Sequence, residues 1–355
     1  MDIMCAALGF AGFAVYLTLR ERNLRMAVLA ANSLVAASCF THPNGIMPFL
    51  GLVFLVVYLD WRRVRFSHVA LAVTPYVVGL LGWGLYISKA PEFFLIQYRG
   101  NASGRFAGLL SPWTALKAEI VGRYVRFLAG FAPDLTTLHR LKALVLVAYI
   151  VALAGVIAVR SLRSQYRIIL MLTAIYFTVM TLWDGMKSPL YLIHIIPFYA
   201  AILAVWIRWC WQTRVIPRPA VVAAVAALLV VQLGGVAYVV RRNNYNNAFR
   251  PAVAFVKAHS DARAKIMGSS ELGFELGFFS GNVTDDVQLG YASHTVPDLI
   301  VVEKRYQEWF NRFRTIDPPV HHFLVDRLTR DYRPVYNHAG YTIYAPRGRA
   351  TTSGG

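Results

Sequence analysis

The feature that most constrains this chain is a series of apolar runs, each nearly long enough to cross a membrane. A hydrocarbon core of about 30 Å takes about 17–25 helical residues, since each residue adds about 1.5 Å. Eight runs of this kind occur before residue 241, namely about 3–19, 26–40, 46–59, 69–87, 141–159, 168–183, 190–207 and 220–240. The sequence therefore predicts a polytopic α-helical membrane protein with about eight transmembrane helices.

Composition supports this prediction and divides the chain. Hydrophobic residues make up 57% and charged residues 15% of the sequence, against roughly 45–50% and 25% in soluble proteins. After residue 240, charges, proline and glycine are spread evenly. We therefore expect a transmembrane domain over residues 1–240, a small soluble α/β domain over residues 241–345 and a disordered tail over residues 346–355.

The arginines predict the orientation of the chain in the membrane. A net charge of +18 would suggest nucleic acid in a soluble protein, but cytoplasmic loops of membrane proteins are basic. Four alternate loops hold three arginines each: Arg20, Arg22, Arg25; Arg62, Arg63, Arg65; Arg160, Arg163, Arg167; and Arg208, Arg214, Arg218. The short loops between them hold only Lys187. We predict that the arginine-rich loops are cytoplasmic, that the α/β domain is extracytoplasmic and that nucleic acid is not a partner, although Arg241 and Arg242 argue mildly for the opposite side.

The long segment over residues 88–140 is expected to lie on the external side. Its aromatic residues interleave with arginines, and apolar residues recur at helical spacing from Trp113 to Phe131. This pattern predicts one or two amphipathic helices in the membrane interface, with membrane lipids as partners. Ordinary snorkelling explains any single arginine there equally well.

The C-terminal residues alternate between helical and strand patterns. Helices are predicted in RPAVAFVKAHS, RYQEWFNRFR and VHHFLVDRLTRDY, strands in AKIMGSS and DLIVVEK, and a closing hairpin in YRPVYNH and YTIYAP around Ala339-Gly340. No glycine-rich phosphate loop follows either strand, so no nucleotide site is predicted. The cysteines Cys5, Cys39 and Cys210 lie in or beside apolar runs without metal-ligand spacing, so neither a disulfide framework nor a metal site is expected.

Two polar clusters interrupt the apolar runs on the predicted external side. They are THPNG, residues 41–45, and DGMKSPLYLIHIIPFY, residues 184–199. Ionisable groups at membrane depth are costly and mark candidate sites. A helix that starts near Lys187 would place Lys187, Tyr191 and His194 on one face, through i, i+4 and i, i+3 spacing. Together with His42 they would suit an anionic, membrane-borne ligand, with Lys187 as the phosphate-binding charge.

A structural interpretation of these clusters stays open. His42 is explained as the cap of a turn, His194 as a hydrogen-bonding side chain inside the bundle and Lys187 as a snorkelling cation. A functional site is favoured because both clusters fall on one predicted side of the membrane, beside the aromatic and basic segment over residues 88–140.

The stretch ANSLVAASCFTHPNGIMPFLGLVFLVVYLDWRR resembles a helix, external turn and following helix of polytopic glycosyltransferases of the GT-C class. These include bacterial proteins with the RgtA/B/C/D-like domain, relatives of the lipid A aminoarabinose transferases and of protein O-mannosyltransferases. The stretch KSPLYLIHIIPFYAAILA resembles the start of a later helix of that family. The resemblance covers nearly the whole chain. It implies transfer of a sugar from a polyprenyl-phosphate donor to an acceptor outside the bacterial inner (plasma) membrane.

The resemblance also implies roles for individual residues. Lys187 and Tyr191 would lie by the donor phosphate, His42 at the rim of the cavity, and three arginines near the lipid headgroup. The expected substrate-binding residues are His42, Asn44, Gln97, Arg99, Arg105, Arg123, Lys187, Tyr191 and His194. No cofactor is implied with certainty and a divalent metal stays open, without predicted ligands. The sugar and the acceptor are not readable.

This chain departs from the family in its acidic residues. An acceptor hydroxyl needs a base or an oriented carboxylate, and the family places an aspartate in its first external loop. Here only Asp2 precedes the THPNG turn, and the later acidic residues do not match the family position: Glu92, Glu119, Asp134 and Asp184. Because Asp2 and its helix resemble an internal helix of longer members, we expect an N-terminally truncated member, from a late start or a split gene, and its activity by itself stays open.

The catalytic residue is therefore unassigned, with Asp2 as a candidate. The alternative function is a non-catalytic polytopic protein that binds or moves lipid-linked saccharides. A transporter would be favoured by carboxylates buried in the middle of a span, and the eight apolar runs contain none.

Overall fold

The computed structural model describes residues 2–89, 91, 94–95, 98, 107–132, 137–185, 187–277 and 281–348. The chain divides into two compact units, Met1–Gln232 and Leu233–Gly355. The predicted domain boundary at residue 240 falls eight residues after this division. The predicted disordered tail is wrong at its start, because Pro346 ends a strand and the Arg347 N–H donates to the Asp331 carbonyl at 2.9 Å; residues 349–355 lie outside the described residues.

The first unit is helical. Its main helices are α1 Asp2–Leu19, α2 Leu24–Thr41, α3 Ile46–Asp60, α4 Phe66–Ile87, α5 Pro112–Ala118, α6 Ala143–Ala158, α7 Arg167–Trp183, α8 Ile196–Thr213 and α9 Arg218–Arg242, which continues into the second unit. Short α-helical turns span Ala107–Leu110 and Arg160–Gln165, and 3₁₀ turns span Pro43–Gly45, Trp61–Arg63, Thr137–Lys142 and Pro189–His194. A π-helical segment, Glu119–Leu128, continues α5.

All eight apolar runs lie on helices, so the predicted positions of the helices are confirmed. Within the described residues, six helical segments are long and apolar enough to cross a membrane, and α7 is apolar but shorter. Length and composition thus indicate a membrane protein with about six spans, fewer than the eight predicted. The run over residues 190–207 is divided between a 3₁₀ turn, Pro189–His194, and α8, which is not among the six.

Close packing of α1 against α2 requires a small residue. A Cβ atom on Gly12 would lie 2.8 Å from Val35 Cγ2 and 3.2 Å from the carbonyl oxygen of Ala31. Small residues let membrane helices approach closely, where packing rather than water exclusion drives association. An aromatic cluster then ties α1 to α7 and α8, since the Phe198 ring lies 5.2 Å from Phe10 and 4.9 Å from Tyr176.

A buried carboxylate joins the ends of α1 and α3 at the arginine-rich end of the bundle. Asp60 is 1% exposed and accepts hydrogen bonds from the Tyr16 hydroxyl at 2.7 Å, Arg20 Nε at 2.6 Å and Arg63 Nη1 at 2.8 Å. A charge removed from water stabilises a fold only when it is paired and hydrogen-bonded. Two arginines and a phenol meet that requirement here.

Asp60→Asn should therefore lower the unfolding midpoint of the protein in detergent. The variant loses charge-assisted hydrogen bonds that contribute about 1.5–3 kcal/mol and leaves Arg20 and Arg63 without their shared carboxylate. Labelling of the buried thiols Cys5 and Cys210 during heating reports the midpoint. Glu21→Gln is the control, because Glu21 contacts the same arginines but is 65% exposed. Equal midpoints for both variants would contradict a stabilising role for Asp60.

The second unit is a small α/β domain. Its elements are α10 Arg250–His259, β1 Ile266–Met267, β2 Val283–Thr284, β3 Leu299–Val302, α11 Lys304–Ile316, α12 Pro318–Asp326, β4 Tyr332–His338 and β5 Tyr341–Pro346. Shorter turns are Tyr245–Phe249, Ser270–Leu272, Gly273–Leu276 and Arg327–Asp331. The sheet order is β2-β1-β3-β5-β4, with β2, β1 and β3 parallel and the β4–β5 hairpin antiparallel.

The predicted α/β elements and hairpin are confirmed. Ala339 and Gly340 both have positive φ, +49° and +88°, as a tight two-residue hairpin requires. Strand β3 is buried throughout because it is covered on both faces: Leu299 and Val301 pack with α10, while Ile300 and Val302 pack with α11 and α12. Strand β2 was not predicted, since its two residues are too short for a pattern.

Candidate functional site

The structure brings the two predicted polar clusters together around Asp2. Its Oδ1 atom lies 3.4 Å from His42 Nδ1, 3.4 Å from Asn44 Nδ2 and 3.7 Å from His194 Nε2. The Tyr191 ring meets the His42 ring edge-on at 5.5 Å between centroids. We call these five residues the Asp2 cluster. Four of them are predicted substrate-binding residues, and the fifth is the candidate base.

Local chemistry fixes His42 in this cluster. The residue has extended backbone geometry, and its Nδ1 accepts the Asn44 backbone N–H at 3.1 Å, which caps the Pro43–Gly45 turn. The structural interpretation of His42 as a turn cap is thereby confirmed. A ring that accepts at Nδ1 carries its proton on Nε2, so Asp2 and His42 are close neighbours rather than a hydrogen-bonded pair.

His194 is buried and lies near Asp2 without a hydrogen bond of its own among the described residues. Its side chain is 1% exposed, and neither ring nitrogen makes a hydrogen bond within the described part of the chain. The Oδ1 atom of Asn44 is likewise buried and unpaired there. Each such group costs about 1–3 kcal/mol. The Asp2 cluster therefore has hydrogen-bonding capacity for a hydroxyl group or a water molecule, while Asp2 itself is 21% exposed.

A second group, the charge cluster, consists of Glu119, Arg123, Asp184 and Lys187. Arg123 donates hydrogen bonds to both carboxylates, and Lys187 Nζ lies 3.2 Å from Glu119 Oε2. Exposure of these side chains is 9% or less. Burial lowers the pKa of Lys187, and the Glu119 carboxylate opposes that shift. Two cations facing two anions give a neutral group, so neither Lys187 nor Arg123 presents an unbalanced charge here.

The charge cluster builds the turn between α7 and the Pro189–His194 segment. Asp184 Oδ2 accepts the Ser188 N–H at 3.0 Å, and Arg123 Nε donates to the Ser188 carbonyl at 3.0 Å. Lys187 itself is in the left-handed region with φ +52°. A continuous α-helix from Lys187, the condition for placing Lys187, Tyr191 and His194 on one face, is therefore not formed; a 3₁₀ turn begins at Pro189 and α8 at Ile196. Lys187 belongs to the charge cluster, whereas Tyr191 and His194 belong to the Asp2 cluster.

The helical prediction for the segment around Trp113–Phe131 is confirmed, but two of its charged residues lie on the buried face, while Lys117 and Arg126 are exposed. Glu119 and Arg123 are fully buried, while apolar Ile120 and Phe127 are 45% and 41% exposed. Arg123 therefore contacts carboxylates rather than a lipid headgroup. Gln97, Arg99 and Arg105 lie outside the described residues, so their binding roles stay predictions.

The sequence analysis compared Glu119 and Asp184 only with the position of the family's catalytic aspartate. It did not predict that both carboxylates pair with Arg123. The i, i+4 spacing of Glu119 and Arg123 is a signal that could have revealed one ion pair. No signal links Asp184 to Arg123, which lies 61 residues earlier. Within the described ranges, no three His, Cys, Asp or Glu side chains are grouped to hold a metal ion.

The six long apolar helical segments and the C-terminal sheet indicate a polytopic membrane protein with a small α/β domain. No known family model, curated protein or solved structure matches the chain. The likeness to GT-C glycosyltransferases therefore depends on the stretches quoted above.

Arg123→Met should strongly destabilise the first unit. Removing one partner of a buried ion pair costs about 3–5 kcal/mol, because the remaining charges stay buried. The variant leaves Asp184 without its cation, and the expected result is a clearly lower unfolding midpoint in detergent. Arg126→Met is the matched control, since Arg126 is exposed three residues later in the same segment. An Arg123 variant as stable as the control would show that the cluster contributes nothing.

Proposed function

We propose that this protein is a membrane glycosyltransferase of the GT-C type, which transfers a sugar from a polyprenyl-phosphate donor and uses the Asp2 cluster as its reaction site. The observation that carries the proposal is the position of Asp2 within 3.4–3.7 Å of His42, Asn44 and His194. All three are among the residues that the sequence predicts to bind substrate, and the family resemblance implies that His42 lies at the rim of the cavity.

Asp2 differs from the other carboxylates described in the first unit. Glu21, Asp60, Glu119 and Asp184 are each ion-paired with arginine or lysine. Among the described residues, the basic side chains within 4 Å of the Asp2 carboxylate are the imidazoles of His42 and His194. A carboxylate that no arginine or lysine neutralises remains available as a proton acceptor, and sugar transfer to a hydroxyl needs such a base. Its partial exposure gives an acceptor access.

The donor would bind as an anionic lipid at the same end of the bundle. In this proposal the Tyr191 hydroxyl and the imidazoles of His42 and His194 contact the donor phosphate. Lys187 contacts the phosphate only if its ion pair with Glu119 breaks. The arginine-rich loops would lie in the cytosol. That orientation puts the Asp2 cluster, and the C-terminal domain beyond α9, outside the bacterial inner membrane.

The second candidate is a non-catalytic protein that binds or moves lipid-linked saccharides. It is favoured by the capping role of His42, which needs no substrate. It is also favoured by the neutral charge cluster, which leaves a single carboxylate near the site.

Asp2→Asn should lower sugar transfer about 10²–10⁴-fold, the usual contribution of a general base, while donor binding persists. The donors are polyprenyl-phosphate pentoses and hexoses that carry the radiolabel in the polyprenyl chain, and bacterial membranes supply the acceptor. The assay measures the labelled polyprenyl phosphate that sugar transfer releases. Glu21→Gln, a neutralised carboxylate at the other end of the bundle, is the control. Wild-type protein that retains donor without turnover would establish the binding protein instead, and protein that does neither would exclude both.

Labelling of introduced cysteines should reveal opposite sides for the two ends of the bundle. In a background without Cys5, Cys39 and Cys210, Pro43→Cys should react with a membrane-impermeant maleimide in intact cells. Arg62→Cys should react only after permeabilisation. Both positions are exposed, so access depends on the membrane alone. The reverse pattern would place the Asp2 cluster in the cytosol and exclude extracytoplasmic sugar transfer.

A further inference from the structure

The arginine-rich end of the first unit forms one surface from two loops. Arg63 donates to Asp60 Oδ1 at 2.8 Å and to the Arg20 carbonyl at 3.1 Å, and Arg20 also bonds to Asp60. Glu21 adds a contact of 3.3 Å to Arg63. The buried Asp60 carboxylate accepts hydrogen bonds from Arg20, in the loop after α1, and from Arg63, in the loop after α3. These bonds hold the two loops against each other.

This surface has a large surplus of positive charge. Residues 20–25 and 60–65 contain six arginines against Glu21 and Asp60, which leaves four positive charges uncompensated. Arg20 and Arg63 are committed to Asp60, whereas the remaining four extend into solvent as exposed side chains: Arg22, Arg25, Arg62 and Arg65.

Two large aromatic residues flank these arginines. Trp61 is 70% exposed and Phe66 is 87% exposed. Tryptophan concentrates where apolar helices meet the polar headgroups of a membrane, and phenylalanine is common on protein faces that insert at the same boundary. Trp61 directly follows α3 and Phe66 begins α4, an apolar helix whose spanning window is 0% buried within the protein.

We propose that residues 20–25 and 60–66 form a binding surface for the headgroups of anionic phospholipids. Guanidinium groups bind phosphate through paired hydrogen bonds, and the exposed arginines supply them at the level where the spanning helices end. Trp61 and Phe66 insert beside the headgroups. This surface requires neither the proposed sugar transfer nor a particular side of the membrane.

A lipid explains the surface better than a nucleic acid does. Basic clusters next to membrane helices attract anionic lipid, and each arginine near the surface strengthens binding about fivefold, which corresponds to about 1 kcal/mol. A nucleic acid would use the arginines but would leave Trp61 and Phe66 unexplained at the ends of apolar helices.

The test uses the full-length protein in neutral detergent, titrated with phosphatidylglycerol or phosphatidylcholine, with bound lipids counted by native mass spectrometry. Wild-type protein should retain more phosphatidylglycerol than phosphatidylcholine. The triple variant Arg22→Gln/Arg62→Gln/Arg65→Gln should bind it about 100-fold more weakly. If that variant unfolds early, Arg22→Gln alone should still weaken binding about fivefold.

The matched control is Arg263→Gln/Arg314→Gln/Arg330→Gln, which removes three exposed arginines from the second unit. It should retain phosphatidylglycerol as the wild-type protein does. Equal retention of both lipids by the wild-type protein would overturn the proposal, as would unchanged binding by the first variant. Displacement of phosphatidylglycerol by a single-stranded oligonucleotide would assign the surface to nucleic acid instead.

Discussion

The first unit depends on the neutralisation of the charges buried at its two ends. Little water reaches the interior of a bundle of long apolar helices. Each buried charge there therefore needs a partner of opposite sign and hydrogen bonds to its polar atoms. At one end Asp60 is held by two arginines and Tyr16. At the other end Arg123 joins two carboxylates. These polar clusters link helices that their apolar side chains alone would not hold in one arrangement.

The same constraint makes Asp2 exceptional. Every other carboxylate described in the first unit has an arginine or lysine partner, and Asp2 has imidazoles instead. Close by, His194 is buried with two unpaired ring nitrogens. Such unsatisfied groups cost stability, and here they lie beside a partly exposed carboxylate, which is the arrangement on which the proposed reaction site is built. This contrast, more than the number of polar residues, distinguishes the candidate site from the structural clusters.

The site could be predicted only in part, because contacts between distant segments have no local signal. The sequence correctly selected His42, Asn44, Tyr191 and His194 as residues of one end of the bundle. It assigned Lys187 to the same helical face, which fails because the left-handed backbone at Lys187 and the buried charges around it start a new turn. It also treated Arg123 as a lipid contact, whereas tertiary packing pairs it with Asp184 across 61 positions.

The sequence by itself determined the positions of the helices of the first unit and, in the second, β1, β3 and the hairpin but not β2, because hydrophobic periodicity, segment length and turn residues are local properties of a chain. The helix starting at Asp2, the THPNG turn and the Ala339-Gly340 turn all follow from such local preferences. Only the tertiary structure decided which polar residues meet. Asp2 reaches His194 across 192 positions and Glu119 reaches Lys187 across 68, since the pairing of a buried charge is chosen by the whole packed bundle rather than by its neighbours in sequence.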